Sequence, residues 1–246
     1  MTSRGSDFYG VLGPSGKAWA WAAAVEAVAR ELRREFAAPR GAPFFGLDAP
    51  PGGLPDLGAF GKRGIFRKYE TVLELGAGLG ATARWWNAVF GCRVVGVEEA
   101  LEFARAAAFL SSRSGFSADT RFVAALGRAL PFRGGSFTHV WSARPIRWAA
   151  GDPRLAEALR VVRPGGHLAV AASDPEEARR AVREAGFVEL RVDPLGGSPE
   201  PPTVGIARQR LAQVLTRQGH GDLAAPLRED SPGEPELFLL TARKPS

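Results

Sequence analysis

Apolar positions along this chain follow two rhythms. Short apolar runs occur at Thr71–Leu75, Arg93–Val97, Thr120–Ala124, Thr138–Ser142, His167–Ala171, Val188–Val192 and Glu236–Ala242. Between them lie stretches whose apolar residues return every three or four positions: Leu79–Phe90, Leu101–Ser111, Pro153–Val162, Pro175–Ala185 and Val204–Gln218. The first rhythm predicts strands and the second helices. Their alternation predicts a parallel sheet with helices on both faces. Ahead of this unit, Ala18–Phe36 carries Trp19, Trp21, Val25, Val28, Leu32 and Phe36 at helical spacing. The stretch from Pro39 to Leu57 then holds five prolines, which predicts an irregular connection. Beside a ligand site at the strand ends it is either a cover or a surface linker. A second break falls at Pro194–Pro202. The expected organisation is a helical extension with a Pro/Gly-rich lid or linker over 1–61, followed by an α/β domain over 62–246.

The first strand ends in Glu74-Leu75-Gly76-Ala77-Gly78-Leu79-Gly80, and the second ends in a carboxylate, Glu98. Glycines let the backbone turn tightly into a helix and approach a ligand closely, and an acid at the second strand end can accept hydrogen bonds from a ribose diol. The unit therefore fits a nucleoside-containing ligand. The third glycine follows the second by two residues, not by the three of dinucleotide folds, which argues against an NAD-dependent oxidoreductase.

This E-x-G-x-G-x-G form resembles motif I of the class I S-adenosylmethionine (SAM) dependent methyltransferases. Leu130-Pro131-Phe132 with Ser136-Phe137 resembles that family's lead-in to the fourth strand. Arg163-Pro164-Gly165-Gly166-His167-Leu168 resembles its turn into the fifth, and Ala185-Gly186-Phe187 its approach to the sixth. The signals keep the family's order over about Val72 to Val192. The start of the first helix and Phe90–Val97 most resemble the subgroup acting on small molecules, such as quinone, tocopherol and glycine/sarcosine methyltransferases. The resemblance implies a Rossmann-like, doubly wound, mostly parallel seven-stranded sheet with an antiparallel last strand. It implies SAM as cofactor, S-adenosylhomocysteine as product and a small-molecule acceptor. It places Glu74, Gly76, Ala77, Gly78, Glu98, Glu99, Ala125, Leu126 and Ser142 at the cofactor. Many relatives carry an acid where Leu126 stands, so here the adenine edge is left to backbone groups and apolar surface.

The loop after the fourth strand, Ser142–Trp148, contains no Asp, Glu, His or Tyr, so no general base or other catalytic residue is recognised. Arg144 and Arg147 are either substrate-binding groups for a carboxylate or phosphate, or solvated loop charges. His139 reads as a packed residue ahead of a base, and His167 as solvated. Trp85 and Trp86 read as packing residues. Three dispersed histidines and one cysteine give no metal-ligand spacing.

Composition narrows the setting. At 246 residues and 45% hydrophobic, the chain suits one α/β domain plus an extension. No uncharged apolar run reaches the roughly 18 residues of a membrane span, and Met1–Lys17 lacks the apolar core of a secretory signal. The single Cys92 reads as a small core residue. A cytoplasmic setting is the default expectation. Four lysines against 28 arginines, with one asparagine, suit a thermophile or a GC-rich genome. The net charge of +6 raises a nucleic-acid partner, although the basic residues are spread. Three functions follow: a methyltransferase of small molecules, an RNA methyltransferase, or a protein of the same fold that binds ligand without turnover.

Overall fold

The computed structural model describes residues 17–49, 55–63, 70–145, 147–196, 202–227 and 236–246. Residues 1–16, part of the Pro/Gly-rich connection and most of the second break lie outside them. The helices are α1 (Lys17–Leu32), α2 (Leu57–Arg63), α3 (Ala81–Phe90), α4 (Leu101–Arg113), α5 (Pro153–Val161), α6 (Pro175–Glu184), α7 (Pro202–Arg217) and the single turn α8 (Gly221–Ala224). The strands are β1 (Thr71–Leu75), β2 (Arg93–Glu98), β3 (Thr120–Ala124), β4 (Phe137–Ser142), β5 (Val162–Ala172), β6 (Val188–Leu195) and β7 (Leu237–Arg243).

They form one seven-stranded sheet in the order β3-β2-β1-β4-β5-β7-β6. β1 to β5 pair in parallel with their neighbours, while β7 lies antiparallel between β5 and β6. The order reverses between β1 and β4. In open α/β sheets the crevice beyond the strand ends at such a reversal is where ligands bind.

Alternation along each strand sorts side chains to two faces. Leu73 and Leu75 of β1 join Val140, Leu168 and Val170 against Leu155 and Ala158 of α5 and Ala178 and Val182 of α6. Val72 turns the other way, with Val94, Trp141 and Ala171, onto Ala83 and Trp86 of α3 and Leu57 and Phe60 of α2. A third cluster unites α1, α4 and α7 with Phe44, Phe45 and Leu47 from the connection after α1. Each fully buried Leu or Phe in these clusters stabilises the fold by about 1.5–3 kcal/mol.

The pattern places every strand, with three informative differences. β5 starts at Val162, ahead of the Pro164-Gly165-Gly166 turn, because Val162 pairs with Phe137 and the turn is absorbed as a register shift. Gly165, at φ +71, donates to the carbonyl of Lys244, and Lys244 returns a bond to the carbonyl of Gly166. β6 runs through Pro194 to Leu195, which an edge strand tolerates since one side of its ladder is unpaired. α2 went unpredicted because Gly58 and Gly61 mask its period. Asp56 caps it by accepting from the amides of Gly58 and Ala59, and the bare Gly61 admits Phe90, which a Cβ would meet at 2.1 Å.

Candidate functional site

β1 delivers Glu74 and the glycine turn. Gly76, Gly78 and Gly80 all adopt positive φ, a region that costs a glycine little. The amides of Gly76 and Ala77 donate to the carbonyl of Val97, which ties the turn to the end of β2. β2 can approach this closely because residue 96 is glycine. A Cβ there would stand 2.7 Å from both Ala77 Cβ and the Phe122 ring.

Glu98 lies at the floor of a cleft of about 320 Å³, lined by Leu75, Gly76, Glu99, Gly127, Arg144 and Arg154 among others. Only 7% of Glu98 is exposed. Its Oε2 accepts from the amide of Gly78 at 2.7 Å, and its Oε1 from that of Glu99 at 3.3 Å. A carboxylate offers about four acceptor positions, so about two remain for a diol. Burial raises its pKa, opposed by the Gly78 amide and then by Arg144. Glu74 is deeper, 2% exposed, and its Oε2 is buried without a hydrogen-bond partner among the described residues. Burial pushes its carboxyl up to about 8 despite a hydrogen bond with Thr82.

The other wall comes from β3 and β4. The amide of Ala125 donates to the carbonyl of Glu98, and the carbonyl of Leu126 accepts from Ala129, so both backbone groups are engaged. The Leu126 side chain is 41% exposed. Ser142 is buried and spends its hydroxyl on the carbonyls of Leu75 and Arg144, bracing the ends of β1 and β4. Ser142, Ala77 and Gly78 thus support the cleft from behind, while Gly76, Glu98 and Glu99 border it.

Of the two loop arginines, both border the cleft, but they differ. Arg147 is 79% exposed and holds Glu177 in a bidentate pair at 2.8 Å. Arg154, which the sequence reading passed over, is more firmly placed. Its Nε donates to Asp152 Oδ1 at 2.9 Å, its Nη2 to the carbonyl of Arg147 at 3.0 Å, and its guanidinium lies 4.8 Å from the Trp148 ring centre. A Cβ on Gly127 would meet its stem at 3.3 Å. Asp152 caps α5 by accepting from the Arg154 amide. Burial works to raise Asp152, but the bonds from Arg154 hold it below the ordinary carboxylate range. The Asp152-Pro153 helix start was the available signal for Arg154, since a capping acid two residues before an arginine can hold its guanidinium as well as its amide.

His139 is remote from the cleft, paired with Val72 in the register and 2.7 Å from Glu70 through Nε2. Contrary to expectation, His167 is half-buried and stacks on it, with ring centres 5.4 Å apart. Trp86 packs edge-on against Trp141 at 4.2 Å, and Trp85 is half-buried against Phe90. Cys92 is buried and its thiol is pushed up to about 12 by burial, far from nucleophilic use. Among the described residues no helix is long and apolar enough to cross a membrane, and no cluster of metal-ligating side chains occurs.

Known proteins share this fold. Residues 73–170 match the family model described as "Methyltransferase domain". The [4+2]-cyclase SpnF superposes with a TM-score of 0.56 at 21% identity, over 77% of this chain and 80% of the other. A Haemonchus contortus phosphoethanolamine N-methyltransferase 2, in complex with phosphomonomethylethanolamine and S-adenosylhomocysteine, gives 0.58 at 18% identity over 80% of this chain. This chain spans 54% of that enzyme's length. The geranyl diphosphate C-methyltransferase of Streptomyces coelicolor gives 0.51 at 16% identity, over 72% of this chain and 70% of the other. No curated protein matches in sequence. Residues 73–170 thus resemble a methyltransferase domain, and the chain has the Rossmann-like fold of the SAM-dependent methyltransferases it superposes on.

Proposed function

We propose that the protein is a SAM-dependent methyltransferase whose acceptor is a small anionic molecule. The observation that carries the reading is one cleft in which the glycine turn and Glu98 face Arg144 and Arg154. The residues present suit the cofactor. Glu98 keeps free acceptor positions for a ribose diol, Gly76 puts bare backbone at the cleft wall, and among the described residues Glu74 holds a buried oxygen without a partner. When bound, the cofactor supplies a methyl group made electrophilic by a sulfonium. Glu74, Gly76, Ala77, Gly78, Glu98 and Glu99 would hold it, with Ala125, Leu126 and Ser142 shaping the adenine and methyl ends.

The chain's own contribution is positioning and charge. Held reactants can gain several kcal/mol from orientation alone, about 7–11 in favourable cases. No His, Tyr, Cys or Lys lines the cleft among the described residues, and the two carboxylates there are assigned to the cofactor, so an acceptor that already carries its lone pair or charge suits the site best. Arg154 is held in plane by Asp152 and Trp148, which spares part of the entropy of ordering a guanidinium against a carboxylate or phosphate. Two structural relatives are named for phosphorylated acceptors, phosphoethanolamine and geranyl diphosphate, which supports the same class.

A second reading has its own support. The similar [4+2]-cyclase is named for a reaction other than methyl transfer, and a cleft with no His, Tyr, Cys or Lys among its described lining residues would equally serve ligand binding without turnover.

Thermal unfolding tests the cofactor assignment. SAM or S-adenosylhomocysteine at 100 times its dissociation constant should add about 2.7 kcal/mol, whereas NAD and ATP should add nothing. Stabilisation by NAD alone overturns the reading. Stabilisation by SAM without methyl transfer to any of a panel of carboxylates, phosphates and amines favours the second one.

A further inference from the structure

Arg84 is fully buried, in the first turn of the helix that leaves the glycine turn. Its Nη2 donates to Asp48 Oδ2 at 2.6 Å and to the carbonyl of Leu79 at 2.7 Å. Its Nη1 donates to Ser111 Oγ at 3.0 Å and to the carbonyl of Ala107 at 3.3 Å. The ring of Phe44 lies 5.3 Å from the guanidinium carbon. One side chain thereby joins the connection after α1, the glycine turn and α4. Ser111 extends the link to β3 by accepting from Thr120 Oγ1 at 2.9 Å.

Gly80 makes room for this group. A Cβ there would stand 2.9 Å from Arg84 Nη1 and 2.5 Å from Phe122. The peptide whose oxygen Arg84 holds is fixed at its other end too, because the amide of Gly80 donates to the carbonyl of Ala77 at 2.8 Å. Both polar groups of that peptide are occupied, and rotation of the turn would break one or both bonds. Burying a guanidinium is costly unless it is paired, and Asp48 supplies the pairing charge. An apolar side chain would pack between α3 and α4 at less cost, but it would leave the Leu79 carbonyl unheld.

We infer that Arg84 and Asp48 are positioning residues for the cofactor turn, through which the connection after α1 holds Ala77–Gly80 in its receptive shape. The inference rests on the proposal that this turn receives the nucleoside. Two measurements separate the two claims: amide hydrogen exchange of Gly78–Gly80 in the ligand-free protein, and calorimetric affinity for S-adenosylhomocysteine. Asp48→Asn keeps the shape and removes the charge. It should speed exchange in the turn and weaken binding, each by about tenfold. Leu47→Ala, a buried neighbour in the same segment, should lower the melting temperature while exchange and affinity stay within about twofold. The double variant Arg84→Met/Asp48→Leu should regain the wild-type melting temperature, because an apolar pair can replace a buried ion pair. It should nevertheless keep fast exchange and weak binding. Recovery of slow exchange in the double variant, or equal loosening of the turn by Leu47→Ala, overturns the inference. If the wild type binds no S-adenosylhomocysteine, the proposed function fails, and the exchange comparison still decides the positioning role.

Discussion

The two faces of the sheet are built on different principles. The face under α5 and α6 is closed by aliphatic packing, with Leu73, Val140, Leu168, Val170, Leu155 and Val182 all fully buried. The opposite face, under α3 and α4, buries Glu74, Thr82, Arg84, Ser111, Thr120 and His139 among its apolar residues, and Asp48 reaches Arg84 from the connection after α1. An aliphatic face is forgiving about geometry, because many packings of similar volume are nearly equal in energy. A buried polar face is not, since each donor and acceptor must find its partner or cost free energy. The glycine turn enters the face that specifies geometry. The face that only needs to be dry carries the crossover helix behind the cleft's arginine wall.

The largest test of this contrast is deletion on each face. Asp48→Ala leaves Arg84 buried and unpaired and should cost about 3–5 kcal/mol. Leu168→Ala on the aliphatic face should cost about 2–5 kcal/mol through its cavity. Chemical unfolding distinguishes them by rescue. Arg84→Met should recover most of the loss when a leucine replaces Asp48, whereas no charge removal elsewhere should restore Leu168→Ala. Failure of that rescue would mean that the polar face is held by packing after all.

The next effect depends on pH. Burial holds the Glu74 carboxyl at about 8, against 4.5 for an ordinary glutamate. Between those values the unfolded chain releases a proton that the folded protein keeps. The stability from Glu74 is therefore full below about pH 4.5 and falls as pH rises towards 8. Glu74→Gln removes that dependence, so its stability relative to wild type should grow by a few kcal/mol, roughly, between pH 5 and pH 8.5. Melting curves with a constant difference across that range would show that the buried oxygen is ionised in the fold.

Binding effects come third. Glu98→Ala should weaken S-adenosylhomocysteine by about 1.5–3 kcal/mol, the range for hydrogen bonds to a charged group. A folded variant with wild-type affinity by titration would place the ribose elsewhere. The smallest effect is expected at the opposite wall. Ala125, Leu126 and Gly127 provide no acid for the adenine amino group, so an inosine analogue should bind within about tenfold of the adenosine form, roughly 1.4 kcal/mol. Competition that reveals a hundredfold or greater penalty would implicate an acid outside this segment.

Much of this was legible in the sequence where one physical signal dominated. Strands came from apolar runs, and β3 is reproduced residue for residue at Thr120–Ala124. Glycine spacing and the acid ending β2 brought Gly76 and Glu98 to one cleft. What was hidden depended on contacts between distant segments. Arg84 looks like a polar position on a helix until Asp48, 36 residues earlier, meets it. Arg154 reads as surface charge until Trp148 and Gly127 close around its stem. Ser142 lies where a cofactor contact was expected, but its hydroxyl is committed to two carbonyls, which no local pattern reveals.

Phe122 touches the space above two glycines at once, Gly80 and Gly96. This makes the three positions a single hereditary unit. A larger residue at 96 is closed to one-step change while the ring stands there, and even a smaller residue at 122 leaves the Ala77 methyl in the way. Position 80 stays closed regardless, because its φ of +80 excludes most side chains whatever the space. Variation at this end of the cleft must therefore begin at 122 and 77, and a library that randomises the glycines alone will return mostly unfolded protein.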